Sequence, residues 1–194
     1  VRQIPYFNKE NAVYGYYPKY QPAPVSFDKN GGAYLKYSNV IQYKNELGVW
    51  ETVDLMPAIS GYMRSVNKPD FKLRDTNFLN DYLVKFDADG AAYVTFTIEA
   101  GGGRMGLLLY SVDGLKTWNA CKLPYAIARF ERPDGNNDSF SSNPFLLNSN
   151  TDGDELYFIL IQKDAQNRIT LSNPIKYAEG AIGHTAHAGD SNFA

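Results

Sequence analysis

The sequence has few of the residues that carry most catalytic and metal-binding chemistry. Its 194 residues include one cysteine, Cys121, and two histidines, His184 and His187. A single cysteine excludes an internal disulfide framework and a cysteine-based zinc site within this sequence. We interpret Cys121 as a small, partly buried apolar residue, so that cysteine usage does not identify a cellular compartment.

A large net charge and long apolar runs are also missing. The formal net charge is −2, so neither nucleic acid nor an anionic membrane is an expected partner. No apolar run approaches the roughly 20 residues that a membrane helix needs. No signal peptide is recognisable, and Val1 is interpreted as a mature terminus or as an expression boundary.

Turn-forming and aromatic residues are abundant instead. The chain has 15 Tyr, 11 Phe and 16 Gly, a balance that suits short strands joined by turns. Helical periodicity is weak, and one short turn of helix is expected within residues 58–65. The run Gly101 to Gly106 matches a dinucleotide-binding glycine pattern in form, but a strand follows it instead of a helix, which favours a hairpin loop. The fold class predicted is all-β.

An internal repeat supports short hairpins. Phe27 to Tyr34 and Phe86 to Tyr93 share the pattern Phe-Asp-x-x-Gly-x-Ala-Tyr. Each copy is predicted to form strand, turn and strand, with the Asp-x-x-Gly corner reversing the chain. A looser third copy is predicted at residues 152–158. Two further hairpins are expected, with turns near residues 45–48 and 163–168.

One octet carries the most specific pattern in the chain. Residues 111–118 read Ser-Val-Asp-Gly-Leu-Lys-Thr-Trp and follow an apolar strand. Short polar side chains are expected to hydrogen-bond the backbone of a tight turn, and glycine to supply the unusual backbone angle. The tryptophan is expected to cover the hairpin and to be largely buried. The structural residues predicted for this turn are Ser111, Asp113, Gly114, Thr117 and Trp118.

The octet resembles the Asp box of BNR-repeat proteins, Ser-x-Asp-x-Gly-x-Thr-Trp. It departs from that pattern in that Gly114 comes one place early and Leu115 stands at the usual glycine. The resemblance implies a β-propeller with blades of four-stranded antiparallel sheets. The repeats then predict blades at about 22–70, 75–125 and 141–180, with another from 188. Because propellers usually close with four to eight blades, we expect a larger propeller, completed by a further segment or a second chain.

A second repeat places candidate substrate-binding residues. Three short polar pairs are each followed by asparagine, at Asn77, Asn143 and Asn192. In a propeller the strand that enters a blade lines the central channel, so these residues are expected on one rim of that channel. Arg74 shares the rim and is a candidate for clamping a substrate carboxylate.

Both histidines fall in one cluster just before Asn192. His187 and His184 are candidate catalytic acid–base groups because the pKa of histidine lies near neutrality. A divalent metal held by both histidines and Asp190 is an alternative, although no cofactor is required.

The resemblance implies a carbohydrate-active protein that is secreted or periplasmic and acts on a polysaccharide or oligosaccharide. The class contains sialidases, other glycoside hydrolases and polysaccharide lyases of the ulvan-lyase type. A sialidase Arg-Ile-Pro motif is absent, since Gln3 precedes Ile4-Pro5. A lyase of uronate-containing polysaccharide is favoured, because a rim histidine with Arg or Asn suits β-elimination. A glycoside hydrolase and a non-catalytic glycan-binding propeller are the alternatives.

Overall fold

The computed structural model describes residues 25–73, 83–130, 145–149 and 155–179. These residues are mostly strands, so the all-β fold class is confirmed at that level. The strands form three antiparallel sheets, named here sheets 1, 2 and 3 in chain order. No described helix is long and apolar enough to cross a membrane.

Sheet 1 is a four-stranded meander with strand order β1-β2-β3-β4. Its strands are β1 (Val25–Phe27), β2 (Ala33–Tyr37), β3 (Val40–Lys44) and β4 (Trp50–Asp54). A helix, α1 (Met56–Ser65), follows directly and buries Ile59 and Met63 one turn apart. The sequence predicted a shorter helix at this place, and the proline at its first turn suits a helix start because that position needs no amide donor.

Sheet 2 has the same meander order, with its first position shared by two short strands. Its strands are β5 (Phe71–Leu73), β6 (Lys85–Phe86), β7 (Ala92–Ala100), β8 (Gly103–Ser111) and β9 (Asn119–Lys122). β5 pairs with the last residues of β7 and β6 with the first, so that they act as two halves of one edge strand.

Sheet 3 has the same meander order, and its fourth strand position is divided between two short strands. Its strands are β10 (Ile127–Phe130), β11 (Phe145–Ser149), β12 (Glu155–Lys163), β13 (Ile169–Leu171) and β14 (Ile175–Glu179). β13 and β14 pair with opposite ends of β12. β10 thus opens sheet 3 ahead of residue 141, at about which the sequence predicted a new four-stranded unit to begin.

Sheet 2 packs between the other two sheets. Alternate residues of β7, including Val94 and Ile98, join the core shared with sheet 1 and α1. Tyr93 and Leu108 point the other way and pack with Ile159 of sheet 3. β7 and β8 are consequently buried on both faces, so that most of their residues are buried, including the polar Thr95 and Thr97.

The repeated Phe-Asp-x-x-Gly segments form matching hairpins in sheets 1 and 2. Asp28 Oδ1 accepts hydrogen bonds from the amides of Asn30 and Gly32 at 2.9 and 2.8 Å. Asp87 Oδ1 accepts from Asp89 and Ala91 at 3.0 and 2.8 Å. In each hairpin a three-residue loop ends in a glycine of positive φ, as a type I turn with a bulge requires. The predicted equivalence of the two hairpins is confirmed.

Two further hairpins use the same turn, and one predicted copy occupies a different strand position. Asn45 Oδ1 accepts from the Leu47 and Val49 amides, and Asp164 Oδ1 accepts from Gln166 and Arg168. The third copy expected at residues 152–158 is not equivalent, because Glu155 begins β12, the third strand position of its sheet. The sequence similarity at residues 152–158 is weak, and it does not show which strand position of the sheet these residues occupy.

All these turns lie at one end of the stack, named here the turn end. Lys29 Nζ donates to the Ala88 carbonyl at 2.7 Å, which joins the first hairpins of sheets 1 and 2. Lys163, at the end of β12, donates to Asp89 and, at 3.4 Å, to Asp87 Oδ2. The hydrogen bonds therefore join hairpins of the three sheets at the turn end.

We predict that Asp87→Ala lowers the free energy of unfolding by about 3 kcal/mol. Asp87 is buried, and its Oδ2 also accepts from the Tyr93 hydroxyl at 2.8 Å, so the change leaves buried donors without a partner. Asp164→Ala is the matched control, because the same turn is exposed there, and we expect a loss of about 1 kcal/mol. Urea unfolding measures both, and equal losses would contradict the account.

Candidate functional site

The octet at residues 111–118 forms a tight turn between β8 and β9, at the turn end. Asp113 Oδ1 accepts from the Thr117 amide at 3.0 Å, and Asp113 Oδ2 accepts from the Thr117 hydroxyl at 2.6 Å. Ser111 Oγ donates to Asp113 Oδ1 at 2.9 Å and accepts from the Leu115 amide at 3.1 Å. Ser111 and Asp113 thus hydrogen-bond the turn backbone as the sequence predicted.

The departure from the usual glycine position is accommodated by two residues of positive φ. Gly114 has φ of 72° and Leu115 of 69°. Leu115 adopts this unfavourable angle with its side chain buried in the core between sheets 1 and 2. Burial of the leucine side chain offsets the backbone strain that a glycine would avoid.

Trp118 covers the hairpin from its margin. Its Nε1 donates to the Leu115 carbonyl at 3.2 Å, and its ring packs against the core shared by sheets 1 and 2. The ring is half-buried, whereas the sequence predicted a largely buried tryptophan. The difference arises because the ring lies at the margin of the core, at the exposed turn end, and not between the sheets.

Asp113 is held ionised by the turn. The hydroxyl and amide of Thr117 lower the pKa of its carboxyl to about 2, with smaller contributions from Ser111 and the Lys116 amide. A carboxylate with donors on both oxygens is a poor proton donor at neutral pH, since protonation would break these bonds. Asp113 therefore acts as a structural anchor of the turn.

The other predicted site residues lie outside the described part of the chain. They are His184, His187, Asp190, Arg74, Asn77, Asn143 and Asn192.

The described residues include no cluster of metal-ligating side chains, and the thiol of Cys121 has a raised pKa. No group of three His, Cys, Asp or Glu side chains that would hold a metal occurs among them. Cys121 is partly exposed as a residue, but burial of its thiol raises its pKa to about 11. A thiol of raised pKa is a poor nucleophile at neutral pH, which agrees with its interpretation as an apolar packing residue.

A pocket at the opposite end of sheet 2 was not predicted from the sequence. Its volume is about 270 Å³, and we name it the basic pocket. Three cationic residues line it, from three separate segments: Lys68 after α1, Arg104 on β8 and Lys122 at the end of β9. No carboxylate residue lines this pocket. Acidic side chains are instead concentrated at the turn end, where Asp28, Asp87 and Asp164 hold the hairpins.

One wall of the basic pocket is formed by residues 123–126, which cross β8 at Gly106. A Cβ on Gly106 would lie 2.5 Å from the Tyr125 carbonyl oxygen, so only glycine permits this approach. The Leu123 amide donates to the Gly106 carbonyl at 2.9 Å, and Thr97 Oγ1 donates to the Ala126 carbonyl at 3.1 Å. The wall is therefore fixed to both central strands of sheet 2.

Sheet 3 supports the same wall through a tyrosine pair. Tyr125 lines the basic pocket and stacks on Tyr157, with ring centroids 4.3 Å apart and planes 22° from parallel. Tyr157 donates to Glu155 Oε2 at 2.8 Å, and Lys176 donates to Glu155 Oε1 at 2.8 Å. Hydrogen bonding to Tyr125 and Glu155 raises the pKa of Tyr157, which keeps its hydroxyl protonated. These contacts restrict the orientation of the Tyr125 ring.

The glycine-rich part of this pocket is recognisable in the sequence, but the pattern there predicts only a hairpin loop. The run Gly101 to Gly106 was predicted to be a hairpin loop; Gly101 and Gly102 form the β7–β8 turn, and β8 begins at Gly103. Lys68 and Lys122 lie far from that turn in sequence, and the pairing of β5, β7, β8 and β9 brings their segments to the same end of sheet 2.

Comparison with known proteins finds no match among protein-family models, curated proteins or solved structures. The octet turn and the basic pocket are therefore the two features of the described residues that bear on function.

We predict that the stabilising effect of the Asp113 carboxylate is lost in acid. Its folded pKa of about 2 lies below its ordinary 3.8, so the contribution is present above about pH 4 and disappears as pH falls through 2. In urea unfolding, the stability difference between the native chain and Asp113→Asn should narrow over that interval, by less than about 1 kcal/mol because the turn is solvent-screened. A difference that stays constant from pH 5 to pH 2 would contradict the prediction.

Proposed function

We propose that this chain is part of a secreted or periplasmic carbohydrate-active propeller of the Asp-box type, and that it cleaves uronate-containing polysaccharide by β-elimination. The observation that carries the proposal is the turn of the octet, in which Asp113 and Ser111 hydrogen-bond the backbone as the Asp-box pattern requires. The stacking of three antiparallel meanders around sheet 2 supports the same scaffold, because propeller blades are four-stranded meanders packed face to face.

In the proposed reaction a base removes the proton α to the uronate carboxylate, and an acid protonates the leaving glycosidic oxygen. The C–H bonding pair forms the new double bond as the bond from carbon to that oxygen breaks. Neutralising the carboxylate stabilises the negative charge that develops in the transition state. We propose His187 as the base and His184 as its neighbour in acid–base transfer, with Arg74 and the rim asparagines Asn77, Asn143 and Asn192 at the carboxylate.

The charge distribution of the described residues supports an acidic substrate. The basic pocket presents Lys68, Arg104 and Lys122 and no carboxylate residue. A glycoside hydrolase generally needs two carboxylates on either side of the scissile bond, whereas the described carboxylates Asp28, Asp87, Asp113 and Asp164 are engaged in turns. We therefore place the lyase ahead of the hydrolase.

Non-catalytic binding of an acidic glycan is the second candidate. The observation that favours it is that the basic pocket combines cationic and aromatic side chains without any histidine or carboxylate for proton transfer. Such a pocket suits recognition of an anionic sugar and supplies no acid–base pair of its own.

We predict that His187→Ala abolishes turnover of an acidic polysaccharide without unfolding the protein, since the base would be lost. Ultraviolet absorbance of the unsaturated uronate follows the reaction, and circular dichroism checks the fold. His184→Ala is the paired variant, and we expect a smaller loss because His187 is nearer to the predicted strand.

Three outcomes separate the alternatives. New reducing ends without the unsaturated product would replace the lyase with a hydrolase. Binding without either signal would leave the non-catalytic glycan-binding protein. Normal turnover in both histidine variants would remove His184 and His187 from the mechanism.

A further inference from the structure

We propose that the basic pocket is a binding subsite for one acidic sugar residue, whose carboxylate is held by Lys68, Arg104 and Lys122. The choice of an acidic sugar rests on the proposed function, whereas the anion-binding chemistry follows from the pocket itself. The pocket is built from described residues and includes none of the predicted catalytic residues.

The three cations approach the pocket from different directions. Arg104 projects from the start of β8, Lys122 ends β9, and Lys68 Nζ would lie 3.9 Å from a Cβ placed on Gly101 of the β7–β8 turn. A planar guanidinium binds a carboxylate through two parallel hydrogen bonds, and a lysine ammonium adds a mobile charge. Together they would surround a carboxylate of the ligand.

Arg104 is available for such a ligand because its present ion pair is weak. Its Nε lies 3.7 Å from Glu99 Oε1, and the two side chains are 36% and 46% exposed. An exposed ion pair at this separation contributes little to stability. A ligand carboxylate inside the pocket would compete for the guanidinium at little cost, and Glu99 does not line the pocket.

The remaining lining suits the uncharged part of a sugar ring. Met105, Leu123 and Pro124 supply apolar surface beside Tyr125, whose ring is held against Tyr157. Sugar rings present C–H groups that pack on such surfaces, while a few polar groups fix their orientation.

The size of the pocket limits the ligand to a single residue of a chain. A volume of about 270 Å³ lies near the lower end of small-molecule sites. The space beside Gly103 is open, because a Cβ placed on this lining residue would meet no atom within 4 Å. The wall at residues 123–126 is fixed by the Gly106 contact, so the site is preorganised.

Nuclear magnetic resonance titration with D-glucuronate and D-glucose tests the subsite, because the two sugars differ in the carboxylate. We expect shifts of the amides of Gly103, Arg104 and Lys122 with glucuronate, weakening at high salt, and none with glucose. Arg104→Ala and Lys122→Ala should each weaken glucuronate binding roughly tenfold or more, and the double variant should abolish it. Arg104→Lys should retain part of the affinity, since the charge remains without the fork.

Lys116→Ala is the matched control, because it removes one positive charge at the turn end, away from the pocket. It should bind glucuronate as the native chain does. Unchanged binding in the double variant, or an equal loss in Lys116→Ala, would overturn the subsite. Inorganic sulfate that binds as tightly as glucuronate would overturn its selectivity for a sugar.

Glucuronate binding at the basic pocket can be measured independently of catalysis. Glucuronate binding that depends on Arg104 and Lys122, in a protein that forms no unsaturated product, would sustain the subsite and refute the lyase. Product formation that is insensitive to both substitutions, together with unchanged glucuronate binding, would sustain the lyase and refute the subsite.

Discussion

The burial of β7 and β8 on both faces is the constraint on which the rest of the described structure depends. Val94 and Leu109 face the core shared with sheet 1, and Tyr93 and Leu108 face sheet 3. Neither strand can remain folded if one neighbouring sheet is lost, because a full face of apolar side chains would enter water. Both the octet turn and the basic pocket begin on β8, so this packing also positions the two candidate functional features.

Side-chain hydrogen bonds at the turn end fix the hairpins and link the three sheets to one another. At each of five turns, an Asp or Asn side chain accepts a hydrogen bond from the amide four residues later; these side chains are Asp28, Asn45, Asp87, Asp113 and Asp164. Such bonds reverse the chain at low entropic cost. Lys29 and Lys163 then link hairpins of successive sheets, so that acidic turns gather at one end and the cations of the basic pocket lie at the other.

Local patterns predicted local structure well and three-dimensional sites poorly. The Phe-Asp-x-x-Gly repeats identified the first hairpins of sheets 1 and 2, because the turn chemistry is contained within a few residues. The looser third copy occupies a different strand position because sequence similarity does not record strand order; the turn at Asp164 joins the third and fourth strand positions, as the Asn45 turn does in sheet 1. The basic pocket was missed because Lys68, Arg104 and Lys122 are distant in sequence and line one pocket only in the folded chain. The predicted catalytic residues, His184 and His187, lie outside the described residues.

Native-state hydrogen exchange tests most directly whether the doubly buried sheet and its turn bonds govern the fold. The account predicts that the amides of β7 and β8 exchange only through global unfolding, and that the Ala91 amide, bonded to buried Asp87, is protected to a similar degree. The Arg168 amide in the exposed turn should exchange faster. Rapid exchange throughout β7 and β8, with sheet 1 more protected than sheet 2, would contradict the account.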